Sequence, residues 1–358
     1  MKHNIRQFSF GMVLGLLTMY SYHSYANWEI LRKQRNFVKS IREESALLTT
    51  TYSNAFTTSA YNRLQAKDLP DFMHMMEIQQ SERQVTLRKA CQRIKQDCQP
   101  FGFQARNLNL FCNEYKFTVC EINKCGSTSW LQAIMVMDGF YTVDDYRNHV
   151  IRGREVIQAS NQKARLTAIA NQTEIQRLWK DYLNIITVRN PLHRIVSAYN
   201  DKMRPESGGF THVYGALSKR INKQFKMYRH RKEERSIADD DTASFEDFVN
   251  FLIYSREPAA YDPHWKPFHK RCSPCIFEYD FIMKFETMFE DVAYLKRKLN
   301  VSDEHAKAFF PKWTTRFNND DTTEKYFEKL PSRLLQALYD KYKVDFELFG
   351  YQQPSWLC

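Results

Sequence analysis

Residues 116–130 constrain this chain more than any other segment. Lys116-Phe-Thr-Val-Cys-Glu-Ile122 alternates as a strand, and Asn123-Lys-Cys-Gly-Ser-Thr-Ser-Trp130 then turns through small and hydroxyl-bearing residues into Leu131-Gln-Ala-Ile-Met-Val-Met137, which is helical in pattern. The first backbone N–H groups of such a helix, together with its macrodipole, face a ligand lying in the turn. Gly126 lets the backbone approach closely, Ser127, Thr128 and Ser129 add hydroxyl donors, and Lys124 adds a point charge, so the turn is suited to wrapping a phosphate or sulfate. The plain alternative for Lys124 is a solvated loop lysine. The order of residues excludes the loop G-x-x-x-x-G-K-[ST], in which the lysine follows the glycine turn; here it precedes the turn and no upstream glycine pair exists.

A second segment repeats the pattern. Leu183-Asn-Ile-Ile-Thr-Val188 is a short β-branched run, Arg189-Asn-Pro191 stops it, and Leu192-His-Arg-Ile-Val-Ser-Ala-Tyr199 follows with helical spacing. Arg189 falls at the carboxyl end of this strand, where open α/β sheets bind ligands, and Ser197 lies further along the same helix. Two anion sites on one sheet suit a ligand with two separated anionic groups. An α/β fold with a central, mostly parallel sheet flanked by helices is expected.

At these residues the chain resembles a known family. The loop Lys124 to Trp130 resembles the 5′-phosphosulfate loop of sulfotransferases that use 3′-phosphoadenosine 5′-phosphosulfate (PAPS), and Arg189 to Ser197 resembles their 3′-phosphate motif. His264-Trp265, Cys272-Ser-Pro-Cys275, Tyr279-Asp280, Lys284-Phe-Glu-Thr287, Tyr342 and Asp345-Phe-Glu-Leu-Phe-Gly-Tyr351 look like the Golgi carbohydrate sulfotransferases of the chondroitin/dermatan 4-O type. The resemblance covers roughly residues 115–352 and implies a P-loop-like sulfotransferase fold. Asn123 stands where the family commonly has proline and Asn190 where it has aspartate; neither change removes a ligand-facing charge.

The N-terminus bears on the compartment. Residues 1–7 are positive and read as a cytoplasmic tail, and 8–26 as an apolar signal anchor or a signal peptide cleaved near Ala26. Residues 27–85, polar and helix-prone, read as a lumenal stem, with a catalytic domain over 86–358. The resemblance implies a type II Golgi membrane protein. Eight cysteines, with sequons at Asn171 and Asn300, suit an oxidising lumen. Their pairing cannot be read from sequence. Cys272-x-x-Cys275 lacks the second ligand pair a structural zinc needs, and no metal is expected. Cys125, inside the anion loop, is expected to be a free thiol or a packing residue.

The net charge of +11 favours an anionic partner, and with no nucleic-acid-binding motif evident an acidic glycan is the better expectation. Lys202, Arg204, Lys219, Arg220, Lys223, Lys226, Arg229, His230, Arg231 and Lys232 either line an acceptor groove or form a solvated face. A partly helical insertion is expected over 140–182, a loop at Pro205–Gly209, an amphipathic helix over 244–253 capped by Ser244 and Asp247, and another over 324–342 that ends before a tail at 345–351. The sequence leaves oligomeric state and acceptor sugar open.

Sulfuryl transfer needs a cation for the leaving group, a base for the acceptor hydroxyl and accurate positioning. By the resemblance, Asn123, Lys124, Cys125, Gly126, Ser127, Thr128 and Ser129 hold the 5′ side of PAPS, Arg189 and Ser197 hold the 3′-phosphate, and Lys124 acts in the chemistry. His264, beside an aromatic in the family block, is the favoured base among ten histidines, with a loop-fixing histidine as its alternative; His193 and His149 are weaker candidates. The competing function classes are a catalytically inert glycan-binding relative and, more remotely, a nucleotide kinase, which the missing Walker lysine and acidic magnesium motif disfavour.

Overall fold

The computed structural model describes residues 69–94, 109–147, 164, 172–225, 241–308, 320–354 and 357. The segments read as tail and anchor lie outside the described residues, as do His149, Asn171 and the basic residues from Lys226 to Lys232. No described helix is long and apolar enough to cross a membrane.

The elements run α1 (Leu69–Arg93), β1 (Asn109–Cys112), β2 (Phe117–Cys120), α2 (Ser127–Met137), α3 (Val143–Arg147), α4 (Gln172–Asp181), β3 (Leu183–Val188), α5 (Pro191–Lys202), α6 (His212–Phe225), α7 (Phe245–Tyr254), α8 (Phe268–Cys272), β4 (Phe281–Lys284), α9 (Met288–Lys298), α10 (Asp303–Ala306), α11 (Asp320–Glu328) and α12 (Ser332–Phe349). Four strands form one sheet in the order β1-β2-β3-β4; β1 is antiparallel to β2, whereas β2, β3 and β4 are mutually parallel. The expected α/β class and mostly parallel sheet are therefore observed, with the hairpin strand β1 as an addition.

The alternation read over 116–122 does not mark one wet and one dry face. All four residues of β2 are buried, as an inner parallel strand between helical layers requires. Its one polar member, Thr118, donates to Asn184 Oδ1 on β3 at 2.7 Å. Across the sheet, Trp130 Nε1 donates to Thr187 Oγ1 at 2.9 Å, which fixes the first turn of α2 against β3.

The chain divides into compact units between Phe72 and Met73. The expected stem boundary at 85/86 thus falls inside α1, and residues from Met73 onward share a unit with the sheet. Polarity hid this, because α1 contributes buried polar groups as well as apolar ones. Arg83 Nη1 meets both oxygens of Asp291 at 2.8 and 2.9 Å, and Gln80 exchanges hydrogen bonds with the backbone of Ile282 on β4.

Helix α7 has the expected capping box: Ser244 Oγ accepts from Asp247 N while Asp247 accepts from Ser244 N. The helix expected over 324–342 is two helices, α11 and α12, broken around Pro331, which has no N–H to give and disfavours a helical residue before it. Nor is 345–351 a tail after a helix. Asp345 to Phe349 complete α12, and Gly350 caps it at φ 63°. There the buried Asp345 accepts from the backbone N–H groups of Phe268 and His269 at 2.7 and 3.0 Å, so α12 fixes the start of α8.

Candidate active site

The turn after β2 is shaped by left-handed backbone at two positions, Lys124 (φ 69°) and Gly126 (φ 83°). Gly126 is the N-cap of α2 and offers no side chain to its first N–H groups, so those donors face the concavity uncapped. Ser127, Thr128 and Ser129 make up the first turn. Cys125 points the other way: it is a buried free thiol, and burial pushes its pKa up to about 12. Its side chain packs in a cluster with Cys120, Ile122 and Val188.

Asn190 Oδ1 caps α5 by accepting from Leu192 N at 3.0 Å, with Pro191 at the first helical position. Arg189, just before, is buried, stacks over Phe285 at 4.3 Å and donates to the Lys124 carbonyl at 3.4 Å. The two sequence segments therefore meet. Glu286 accepts from Asn190 N at 2.6 Å and from Tyr351 Oη at 2.9 Å, and Lys284 lies 4.6 Å over the Tyr351 ring, where burial lowers its pKa to about 8. Phe285, Glu286 and Tyr351, from two of the C-terminal blocks that carried the resemblance, thus bear on Arg189. Ser197 lies half-buried on α5, two turns into the helix.

His264 is brought to the loop. Its Nδ1 lies 2.7 Å from Asp262 Oδ1, and Tyr214 Oη, which donates to Asp262 Oδ2 at 3.1 Å, lies 3.0 Å from the same nitrogen. With Nδ1–H committed to the carboxylate, the neutral ring keeps Nε2 as an acceptor, and Asn123 Nδ2 approaches it at 3.4 Å. Burial pulls the His264 pKa below its ordinary value, while Asp262 opposes that fall. Lys124 Nζ sits 2.8 Å from Asp201 Oδ2, and its pKa is also lowered, first by burial and against the pull of Asp201.

Four residues of this constellation were not singled out from sequence: Arg194, Asp201, Tyr214 and Asp262. Arg194 is almost wholly buried and spends its guanidinium on three carbonyls, those of Asn123 (3.0 Å), Lys266 (2.8 Å) and Pro263 (2.9 Å). One side chain therefore ties the anion loop to both flanks of His264. Its signal was an arginine among residues that α5 otherwise buries. His193, on the same helix, is half-buried.

The cysteine pairing reinforces this frame. Cys120, at the end of β2, is bonded to Cys272 on α8, and Cys91 on α1 to Cys275. Both members of the Cys272-x-x-Cys275 pair are thereby used, and no metal-holding group of side chains occurs among the described residues. Of the basic residues from the end of α5 onward, Lys202 reaches Asp201 at 3.2 Å and the Tyr214 ring at 5.0 Å; Arg204 pairs with Glu206, Arg220 with Glu257 at 2.7 Å, and Lys219 with Asp241 at 3.9 Å.

The residues that present this uncapped helix start, buried arginine and Asp–His pair lie within the span 109–352 matched by the profile of the sulfotransferase family, and the chain belongs to that family. Among curated relatives, carbohydrate sulfotransferase 8 of Mus musculus is 28% identical over 284 residues, 77% of this chain and 64% of that protein. Carbohydrate sulfotransferase 10 of Homo sapiens is 27% identical over 309 residues, 81% of each chain. Carbohydrate sulfotransferase 11 of Rattus norvegicus is 30% identical over 251 residues, 68% of this chain and 67% of that one. The alignments span 64% of the first of these relatives and 52% of carbohydrate sulfotransferase 9 of Homo sapiens. No solved structure matches the chain significantly.

Proposed function

We propose that the chain is a carbohydrate O-sulfotransferase that moves a sulfuryl group from PAPS to a sugar hydroxyl of a glycosaminoglycan or glycoprotein glycan, with a chondroitin-type acceptor first among those to test. The observation that carries it is the convergence of three separate segments: Arg189 bonds the Lys124 carbonyl, and Asn123 approaches His264 Nε2. The site fits a ligand with two anionic ends. The α2 N–H groups lack a side-chain cap, Arg189 is buried against Phe285, and Asn123 Oδ1 is buried without a partner. PAPS supplies an activated sulfuryl group and its leaving phosphate when bound.

In this reading the uncapped N–H groups of α2, Ser127, Thr128 and Ser129 orient the 5′ side, and Arg189 with Ser197 holds the 3′-phosphate. Lys124 neutralises charge that grows on the departing oxygen. His264 takes the acceptor proton at Nε2, displacing the long contact from Asn123, while Asp262 fixes the ring and favours the imidazolium that results. Its lowered pKa favours the neutral ring, the form that can take up the proton.

We also propose a Golgi type II placement, with residues 1–7 cytoplasmic, 8–26 as the anchor, a stem, and the catalytic part in the lumen. Disulfides and an exposed Asn300 sequon support an oxidising, glycosylating compartment. Retention in membranes after a carbonate wash and a glycosidase-sensitive mass test the two halves. The activity is tested by incubating the lumenal part with labelled PAPS and a panel of desulfated glycosaminoglycans. Label entering one acceptor class, and lost in His264→Asn, is the expected result. PAPS binding with no transfer to any glycan would favour the inert glycan-binding relative instead.

A further inference from the structure

The ion pair between Lys124 and Asp201 has no place in the reaction as drawn, because the lysine needed for the leaving group is already neutralised by a carboxylate. We propose that Asp201 is a positioning residue that acts as an exchangeable counter-ion: it holds the Lys124 ammonium when the anion loop is empty, yields it to the donor's phosphosulfate, and competes for it again when the product must leave. This rests on the reading of Lys124 as the cation of the 5′ side.

The seat of Asp201 is built for exchange. Its Oδ2 is 2.8 Å from Lys124 Nζ and 3.2 Å from Lys202 Nζ, so a second cation stays when the first departs. Ser207 Oγ donates to the Asp201 carbonyl at 2.7 Å and to Oδ1 at 3.3 Å, and Gly209 N donates in turn to Ser207 Oγ at 3.1 Å. Gly209 lies so close that an added Cβ would overlap the Asp201 carboxylate and carbonyl. A half-buried carboxylate stripped of its partner would be costly, whereas one left with Lys202 and Ser207 is not. The groups that bear on Lys124 electrostatically are Asp201 and Lys202 from α5 and Arg189 from the turn before it, and Lys124 in turn bears on His264. Of these groups Asp201 favours the charged form of Lys124, so its loss lowers a lysine pKa that burial has already depressed.

The counter-ion role and a merely structural role predict opposite signs. Removing a scaffold residue weakens ligand binding; removing a competing negative charge strengthens it. Calorimetry with 3′-phosphoadenosine 5′-phosphate on Asp201→Asn is expected to show about 3- to 30-fold tighter binding near neutral pH, where about 1.4 kcal/mol is tenfold. The alkaline fall of that affinity should also move to lower pH. Asp201→Glu, which keeps the charge, should stay within about threefold of wild type. Equal or weaker binding by an Asp201→Asn protein that melts like wild type overturns the proposal, as does an Asp201→Glu protein that binds as much more tightly than wild type as Asp201→Asn does. If Asp201→Asn fails to fold, Gly209→Ala, which pushes the carboxylate off its seat, is measured instead; tighter binding supports the exchange and unchanged or weaker binding overturns it. Lys124→Ala separates the two layers. Turnover retained in Lys124→Ala removes the underlying reading, whereas turnover lost there with unaltered affinity in Asp201→Asn removes the counter-ion alone.

Discussion

The anion-loop wall and the outer face of α6 are both rich in basic residues, yet they hold them in different ways. Arg189 and Arg194 are 8% and 1% exposed and spend their donors on backbone carbonyls and an aromatic face, whereas the side chains of Lys219 and Arg220 are 61% and 53% exposed and meet single surface carboxylates. A buried guanidinium with its partners fixed has one geometry and a high cost of removal; an exposed pair in water is worth about 0–1 kcal/mol and rearranges freely. In the proposed function, the contrast separates a wall set against the donor from a face free to adapt to an acceptor.

The comparison breaks first at His264. His264→Asn is expected to lose on the order of 10²- to 10⁴-fold in turnover while still binding PAPS, because a general base is gone and the shape is kept. A folded His264→Asn protein within a few-fold of wild type would reassign the base. Next in size, Arg189→Ala should weaken binding of 3′-phosphoadenosine 5′-phosphate by about 10- to 150-fold, the loss of a charged hydrogen bond worth about 1.5–3 kcal/mol, whereas Lys124→Ala should mainly lower turnover. Calorimetry beside single-turnover rates distinguishes them; unchanged affinity in Arg189→Ala would end its phosphate assignment.

A smaller effect is expected at Asp262. That carboxylate raises the His264 pKa against burial, so Asp262→Asn drops it further, and the acidic limb of the kcat/KM profile should move to lower pH while the plateau falls about tenfold. A limb that stays in place would mean another group sets it. The smallest effect belongs to the outer face: Arg220→Ala should change stability by less than about 1 kcal/mol. Its KM for a polyanionic glycan sharpens the contrast, since a rise at unchanged kcat would make α6 an acceptor surface and no change would leave it a solvated one.

The strand-turn-helix units were legible because their signals are local: β-branched runs, Gly126, and the Asn190-Pro191 stop. The capping box of α7 was legible for the same reason. What stayed hidden was relational. Asp201 lies 77 residues from Lys124, and Arg194 lies 71 from Asn123, whose carbonyl it holds, so no spacing announces either contact. Asp262 sat in view two residues before His264, yet a carboxylate at that distance is an orienting partner only if the loop folds back, as the bond from His264 N to Asp262 Oδ1 at 2.8 Å makes it do. The reading of 324–342 as one helix failed where apolar periodicity was weighed above Pro331. That α1 runs across 85/86 was not legible, because a buried Gln80 and Arg83 look, in sequence, like solvated residues.

The disulfides impose an order of events during synthesis. Cys120 and Cys272 are 152 residues apart, and Cys91 and Cys275 are 184 apart. A chain growing from its N-terminus completes the strand, turn and helix of the anion loop long before either second cysteine exists. The loop is therefore made early and clamped late, when the segment carrying His264 has already been synthesised. A nascent or prematurely ended chain would display the motif by which it is recognised and still lack the covalent frame that sets its two halves face to face.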